Sequence, residues 1–231
     1  MLGQIKKDLE KLKNPEKAKT LRRFFKTRKG EYGEGDIFLG ISVPDQRRVA
    51  KKYLDLPLPG IEKLLSDEIH EYRLTALLIL ASKFQKAGLD ERGKIVGLYL
   101  RNIKKINNWD LIDLSAPKIL GPWFFDKDRS FLYKLALSKN LWERRIGIMS
   151  TFAFIKVGQF QDTFKISEIL LKDEHDLIHK AVGWMLREVG KKNQKTEEQF
   201  LRKHHCQMPR TMLRYAIEKF SEKKRKFYLK K

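Results

Sequence analysis

The chain has 231 residues, 42% of them hydrophobic and 34% charged, with 50 Lys and Arg against 29 Asp and Glu. That apolar share builds a core and excludes a disordered tail, and no run of about 18 apolar residues offers a transmembrane helix. The N-terminal MLGQIKKDLEKLKNPEK lacks the apolar stretch and small-residue cleavage site of a signal peptide, and a single cysteine, Cys206, excludes an internal disulfide framework and fits a reducing compartment.

The net charge of +21 is unevenly spread. Residues 1–30 carry 11 basic and 3 acidic side chains, net +8, and residues 182–231 carry 15 and 5, net +10, which leaves +3 for the middle. Two basic ends around a near-neutral centre point to a polyanion held along a surface. Nucleic acid is the expected partner, because each phosphate neutralised releases counterions. A lysine-rich surface that serves only solubility is the bland alternative. A membrane surface is not expected, since no basic amphipathic segment joins a lipidation motif.

In chain order, GEYGEGDIFLGISVPD (30–45) is the one extended, glycine-rich stretch and reads as a structured loop. Pro44 is placed to open the next helix, DQRRVAKKYL, and PLPG (57–60) reads as another break. Glu71–Phe84 has apolar residues at 74, 77, 78, 80, 81 and 84, a broad buried stripe at helical spacing. Similar stripes lie in Arg92–Ile103, Asp128–Leu137, Trp142–Ile155, Thr163–Leu171, Leu177–Val189 and Met212–Phe220. Strand signals are poor.

Strong inner helices are expected to begin near His70, Asn107, Leu141, His175 and Met208, at intervals of 37, 34, 34 and 33 residues. Small residues sit at comparable points in four of them: Ala76, Gly147, Ala181 and Ala216. A helix pair every ~35 residues predicts an all-α fold, an α-solenoid of HEAT-like repeats whose inner helices line a concave groove. The consensus of tetratricopeptide repeats is absent. We expect one domain over 1–231, with a basic C-terminal tail at 222–231 that is mobile or helical. An irregular helical bundle is the alternative.

Three constellations bear on chemistry. In NNWDLIDLSAPKIL (107–120), Asn107 or Asn108 suits an N-cap, and Asp110 lies in the first turn, where a carboxylate suits the helix dipole. Asp113 lies beyond the first turn, four residues after Trp109, so the two project from one face. Pro117 removes the N–H that would bond the Asp113 carbonyl and is expected to end or kink the helix. Pattern alone favours a surface Asp beside a packed Trp. In LWERRIGIMSTFAF (141–154), Trp142, Ile146, Met149 and Phe152 read as core. Arg144 and Arg145 point about 100° apart, so one suits a solvated charge and the other a phosphate clamp. In HKAVGWMLREVGKK (179–192), Trp184 and Arg187 share a face, and Gly183 is unusual in a helix and fits close approach of another backbone. The pair His175 and His179 lacks the glutamate of a zinc protease, and His204, His205 and Cys206 lack a spaced partner cluster, so no metal and no other cofactor is expected.

VPDQRRVAKKY (43–53), HEYRLTALLIL (70–80), NNWDLIDLSA (107–116), LWERRIG (141–147) and HKAVGWMLREVGK (179–191) resemble the DNA alkylation repair family, the AlkD-like HEAT-repeat DNA glycosylases for 3-methyladenine and 7-methylguanine. The likeness spans nearly the whole chain. It implies a monofunctional glycosylase with Trp109, Asp113, Arg145 and Trp184 as catalytic residues. Arg47, Arg144, Arg145 and Arg187 are the expected DNA contacts, with the choice between Arg144 and Arg145 open. The likeness also implies that the base need not enter a deep pocket. On this reading the protein is a cytoplasmic, nucleoid-associated monomer acting on double-stranded DNA that contains alkylated purines. The alternatives are a non-catalytic HEAT-repeat protein that binds branched or bent DNA, and a protein-binding scaffold.

Overall fold

The computed structural model describes residues 1–230. They are helical almost throughout, with a single isolated bridge between Ile37 and Ile69 and no named strand among them. The chain divides into two compact units, Met1–Ile119 and Leu120–Lys231.

The first unit holds α1 (Leu2–Glu10), α2 (Pro15–Phe24), α3 (Val43–Lys52), α4 (Leu58–Leu65), α5 (His70–Lys86), α6 (Leu89–Arg101) and most of α7 (Trp109–Trp123). Helix starts follow local chemistry. The Asn14 side chain accepts the Lys17 N–H at 2.9 Å and Pro15 takes the first turn of α2, while Ser42 caps α3 just before Pro44. PLPG (57–60), read as a break, instead supplies the start of α4, with Pro57 as its N-cap.

Helix α5 is the centre of this unit and packs on α3, α4 and α6. It is buried from His70 through Ala81 and again at Phe84, so the stripe expected from its apolar residues is only part of what it hides. Each buried Leu or Ile there contributes about 1.5–3 kcal/mol. The buried polar residues His70, Glu71 and Arg73 must be matched by partners. Glu71 is matched by backbone: its carboxylate accepts the N–H groups of Leu39, Gly40 and Ile41 at 2.9, 2.8 and 3.2 Å. Gly40 has φ +87°, and a Cβ there would lie 2.1 Å from the Asn14 carbonyl oxygen, so only glycine lets this loop close against α2.

The second unit holds α8 (Ser130–Ala136), α9 (Leu141–Ser150), α10 (Phe152–Lys156), α11 (Gln161–Leu170), α12 (Asp176–Lys192), α13 (Gln194–His204), α14 (Arg210–Ala216) and α15 (Glu222–Leu229). The described part of the basic tail is therefore helical, and Lys231 lies outside the described residues. Helix α12 is central and packs on α9, α11, α13 and α14. Gly183 permits the close approach of α14, since a Cβ there would lie 2.4 Å from the Met212 carbonyl oxygen.

The strong helices start at His70, Trp109, Leu141, Asp176 and Arg210, close to the expected positions, and the chain is all-α with successive helical repeats. Two expectations are corrected. Of the end or kink expected at Pro117, the end does not occur: helix α7 continues to Trp123, because Leu111, Ile112, Ala116, Ile119 and Leu120 are wholly buried and outweigh the ~3 kcal/mol that an internal proline costs. The stripe Trp142–Ile155 is two helices rather than one. The Ser150 and Thr151 hydroxyls turn back onto the Ile146 and Ile148 carbonyls at 2.7 Å, and the helix breaks at Thr151.

Candidate functional site

Trp109 opens α7, and Asp113 follows one turn later on the same face. Asn108 sets this start. Its Oδ1 accepts the Trp109 N–H at 2.9 Å, its carbonyl accepts the Ile112 N–H at 3.3 Å, and its own amide donates to Asp36 at 3.0 Å. The half-buried Trp109 ring stacks on Phe25, with centroids 5.1 Å apart and planes 14° from parallel, and meets Phe24 edge-on at 5.8 Å. One aromatic wall thus stands beside the candidate carboxylate. Asp113 is itself half-buried, and its charge is felt at Tyr99. Burial first and then the Asp113 charge push the Tyr99 hydroxyl up from its ordinary pKa, while its hydrogen bond to Ser115 opposes them.

Asp110 does more than suit the helix dipole. His70 is 1% exposed, and its two ring nitrogens each sit 2.9 Å from a carboxylate oxygen, Nδ1 at Asp36 and Nε2 at Asp110. Arg73 donates from Nη2 to the other Asp36 oxygen at 2.5 Å. Burial alone would lower the His70 pKa, but the Asp110 charge and hydrogen bond, joined by those of Asp36, raise it to about 9. Burial would likewise raise Asp36, yet the His70 hydrogen bond and the Arg73 charge hold it below the usual carboxylate range. This cluster was not legible in the sequence, because its members lie 34 and 40 residues apart with no local pattern between them. Phe24 was missed as well, although RRFFKTRK sets two aromatics among five cations. It is 62% exposed beside Trp109.

Arg47 is exposed on α3 and lines a cavity of about 320 Å³ with Lys51, Ser82, Gln85 and Lys118, a basic recess of the first unit.

In the second unit, Arg144 is spoken for. Its Nε lies 2.6 Å from an Asp173 oxygen, and Nη1 donates to the Ser138 and Lys139 carbonyls at 3.1 and 2.9 Å. Arg145, its neighbour on α9, is only 4% exposed and donates to the Leu177 carbonyl in the first turn of α12. Neither is the solvated charge that adjacency allowed. On α12 the half-buried Trp184 donates from its indole N–H to Glu188 at 3.0 Å and lies 6.5 Å from the Phe152 ring. Arg187 pairs with Glu218, and its Nε stands 3.8 Å from Glu188. His175 accepts the Leu177 N–H at 3.1 Å, capping α12.

The sequence-predicted residues therefore fall into two sets, Arg47, Trp109 and Asp113 in residues 1–119 and Arg144, Arg145, Trp184 and Arg187 in residues 120–231. Among the described residues no helix is long and apolar enough to cross a membrane. The family model described as DNA alkylation repair enzyme matches residues 5–220. A solved structure titled predicted DNA alkylation repair enzyme from Enterococcus faecalis is similar in fold, with TM-score 0.70 and 21% identity over 91% of this chain and 97% of that one. A search of the curated proteins finds no match.

Proposed function

The chain belongs to the DNA alkylation repair enzyme family, and from that premise we propose that it is a monofunctional DNA glycosylase. Its substrates on this reading are N3-methyladenine and N7-methylguanine in double-stranded DNA. The observation that carries the reading is the face of α7 on which a stacked Trp109 and the Asp113 carboxyl stand one turn apart.

The chemistry follows from the lesion. Each of these bases carries a positive charge and leaves without needing a strong acid. As the N-glycosidic bond breaks, its electron pair neutralises the departing base, and positive charge builds on the deoxyribose. Asp113 stabilises that cation and orients the water whose oxygen bonds to the anomeric carbon. The water proton passes to the carboxylate or to solvent. Trp109 and Trp184 offer aromatic faces to cationic sugar or base, each contact worth about 0.5–2 kcal/mol. Arg47 and Arg187 are each assigned to a backbone phosphate, and Arg145, buried against the Leu177 carbonyl, takes one only by giving up that bond. Selectivity then rests on lesion charge and lability, so neutral lesions are poor substrates. The net charge of +21 supports strongly salt-dependent DNA binding.

The test is release of free 7-methylguanine from alkylated duplex under single-turnover conditions. Asp113→Asn is expected to slow release roughly 10²–10³-fold while DNA affinity stays within a few-fold. Full activity in that variant removes Asp113 from the mechanism. Tight binding to bent DNA with no base released by the wild-type protein favours a non-catalytic DNA-binding role instead.

A further inference from the structure

We propose that His70, clamped between Asp36 and Asp110, is a positioning residue for the Trp109–Asp113 face, and that it works only while its imidazole is protonated. This rests on the glycosylase reading for its role in catalysis, though the clamp itself stands on geometry. Three segments meet at one buried ring: the loop before α3 through Asp36, the start of α5 through His70, and the start of α7 through Asp110. Both ring nitrogens are within hydrogen-bond reach of carboxylate oxygens; with both carboxylates ionised both nitrogens donate, and an imidazole donates from both only as the cation. A neutral ring would turn a lone pair toward one carboxylate at 2.9 Å and lose that arm.

The charges around the ring balance. Asp36 comes from the loop, Asp110 from α7, and Arg73 from α5 itself, one turn beyond His70. Phe25 beyond the end of α2 and Phe38 in the loop present only uncharged ring faces, at 5.1 and 4.5 Å. Glu71, next along α5, is turned away onto backbone N–H groups. Two cations thus face two carboxylates, and deprotonating His70 leaves a buried excess of one negative charge.

Two routes lead from this ring to Trp109. One is covalent: Asp110 is the next residue, and its other carboxylate oxygen accepts the Leu111 N–H at 2.9 Å, so the His70 bond fixes the first turn of α7. The other is through packing, because Phe25 contacts His70 and also stacks on Trp109. Asp113 stands one turn further along the same helix, and a first turn that loosens moves both groups relative to a bound sugar. A misplacement of about 1 Å is enough to cost 10²-fold in rate.

The experiment follows three signals against pH from 7 to 10.5 in the full chain: the ¹⁵N shifts of the His70 ring, the indole N–H resonance of Trp109, and the single-turnover release of 7-methylguanine by saturating protein. All three are expected to share one inflection near pH 9, with release, divided by the spontaneous depurination rate of the same DNA at each pH to remove the lesion's own N1 titration, about tenfold slower at pH 10 than at pH 8. In Asp110→Asn the shared inflection moves down by more than one pH unit, because the ring loses the negative charge that favours its cation. If the Trp109 resonance ignores the His70 titration, or His70 keeps its proton throughout, the proposal is overturned whether or not the protein releases base. If the two resonances move together but no base is released at any pH, the positioning contact holds and the glycosylase reading fails. If release is unchanged while both resonances titrate, the catalytic part of the proposal is wrong.

Discussion

In residues 1–119 the buried carboxylates Asp36 and Asp110 share one protonated histidine, Asp36 also takes an arginine, and the Asp36 pKa falls below the ordinary range despite burial. In residues 120–231 Glu197 on α13 is 1% exposed, lies against Gly190 of α12, and has an Oε1 with no hydrogen-bond partner among the described residues. Burial, reinforced by Glu198 and opposed by Arg187, raises its pKa to about 9. The same side-chain chemistry is thus kept charged in one place and neutral in the other. What decides is the presence of a cation within hydrogen-bond reach, since depth of burial is alike in the two. The charged cluster stands next to Trp109, whereas the neutral carboxyl packs a helix pair.

Removing a partner from the charged cluster should have the largest effect. Asp36→Ala leaves His70 and Arg73 as buried cations that face only Asp110 and is expected to destabilise the first unit by about 3–5 kcal/mol. Urea denaturation followed by tryptophan fluorescence measures this. A loss below about 1 kcal/mol would mean that water reaches the cluster and that the contrast with Glu197 is one of packing rather than charge.

A smaller effect of opposite sign is expected at Glu197. Between pH 4.5 and about 9 the folded chain keeps a proton that the unfolded chain has released, so this group's contribution is fully present below pH 4.5 and is lost as pH rises toward 9. Glu197→Gln holds the neutral shape and removes that decline. It is expected to be at least about 1 kcal/mol more stable than wild type at pH 8 and little different at pH 4. Equal stability of the two proteins at pH 8 would show that Glu197 is ionised and paired. His70 has the same sign, with stability lost from about pH 6.5 to about 9, so the pH 8 comparison must be made variant against wild type.

This contrast also marks what the sequence could carry. The helix starts at His70, Leu141 and Asp176 follow from apolar periodicity and caps, which are local signals. The passage of α7 through Pro117 does not, because tertiary burial overrides the local preference there, and the break at Thr151 rests on two hydroxyl bonds to the preceding turn that the apolar stripe across it conceals. At the candidate site, Trp109 and Asp113 were visible as a one-face pair. Asp110 was read as a dipole partner only, since nothing local announces Asp36 or His70 as its neighbours. The difference between Arg144 and Arg145 was likewise invisible, because Asp173 and Leu177, which hold them, come from the chain about thirty residues on.

The smallest effect on stability is expected at Arg187, a largely covered side chain whose charge pair opens to solvent on one side only. Its partner Glu218 is well exposed, and such a pair contributes about 0–1 kcal/mol, so Arg187→Ala should barely shift the urea midpoint. Its effect should appear in DNA binding. A backbone phosphate can replace Glu218 at the guanidinium, because its two non-bridging oxygens offer the same planar fork two acceptors and an equal single charge. Arg187→Ala is then expected to lower the slope of log Kd against log salt by about one unit and to weaken binding evenly across sequences. Glu218→Ala should tighten binding slightly at low salt, since the competing carboxylate is gone. An unchanged slope in Arg187→Ala would mean that Glu188 and Glu218 occupy Arg187 fully. The basic recess at Arg47 would then carry more of the phosphate contact than α12 does.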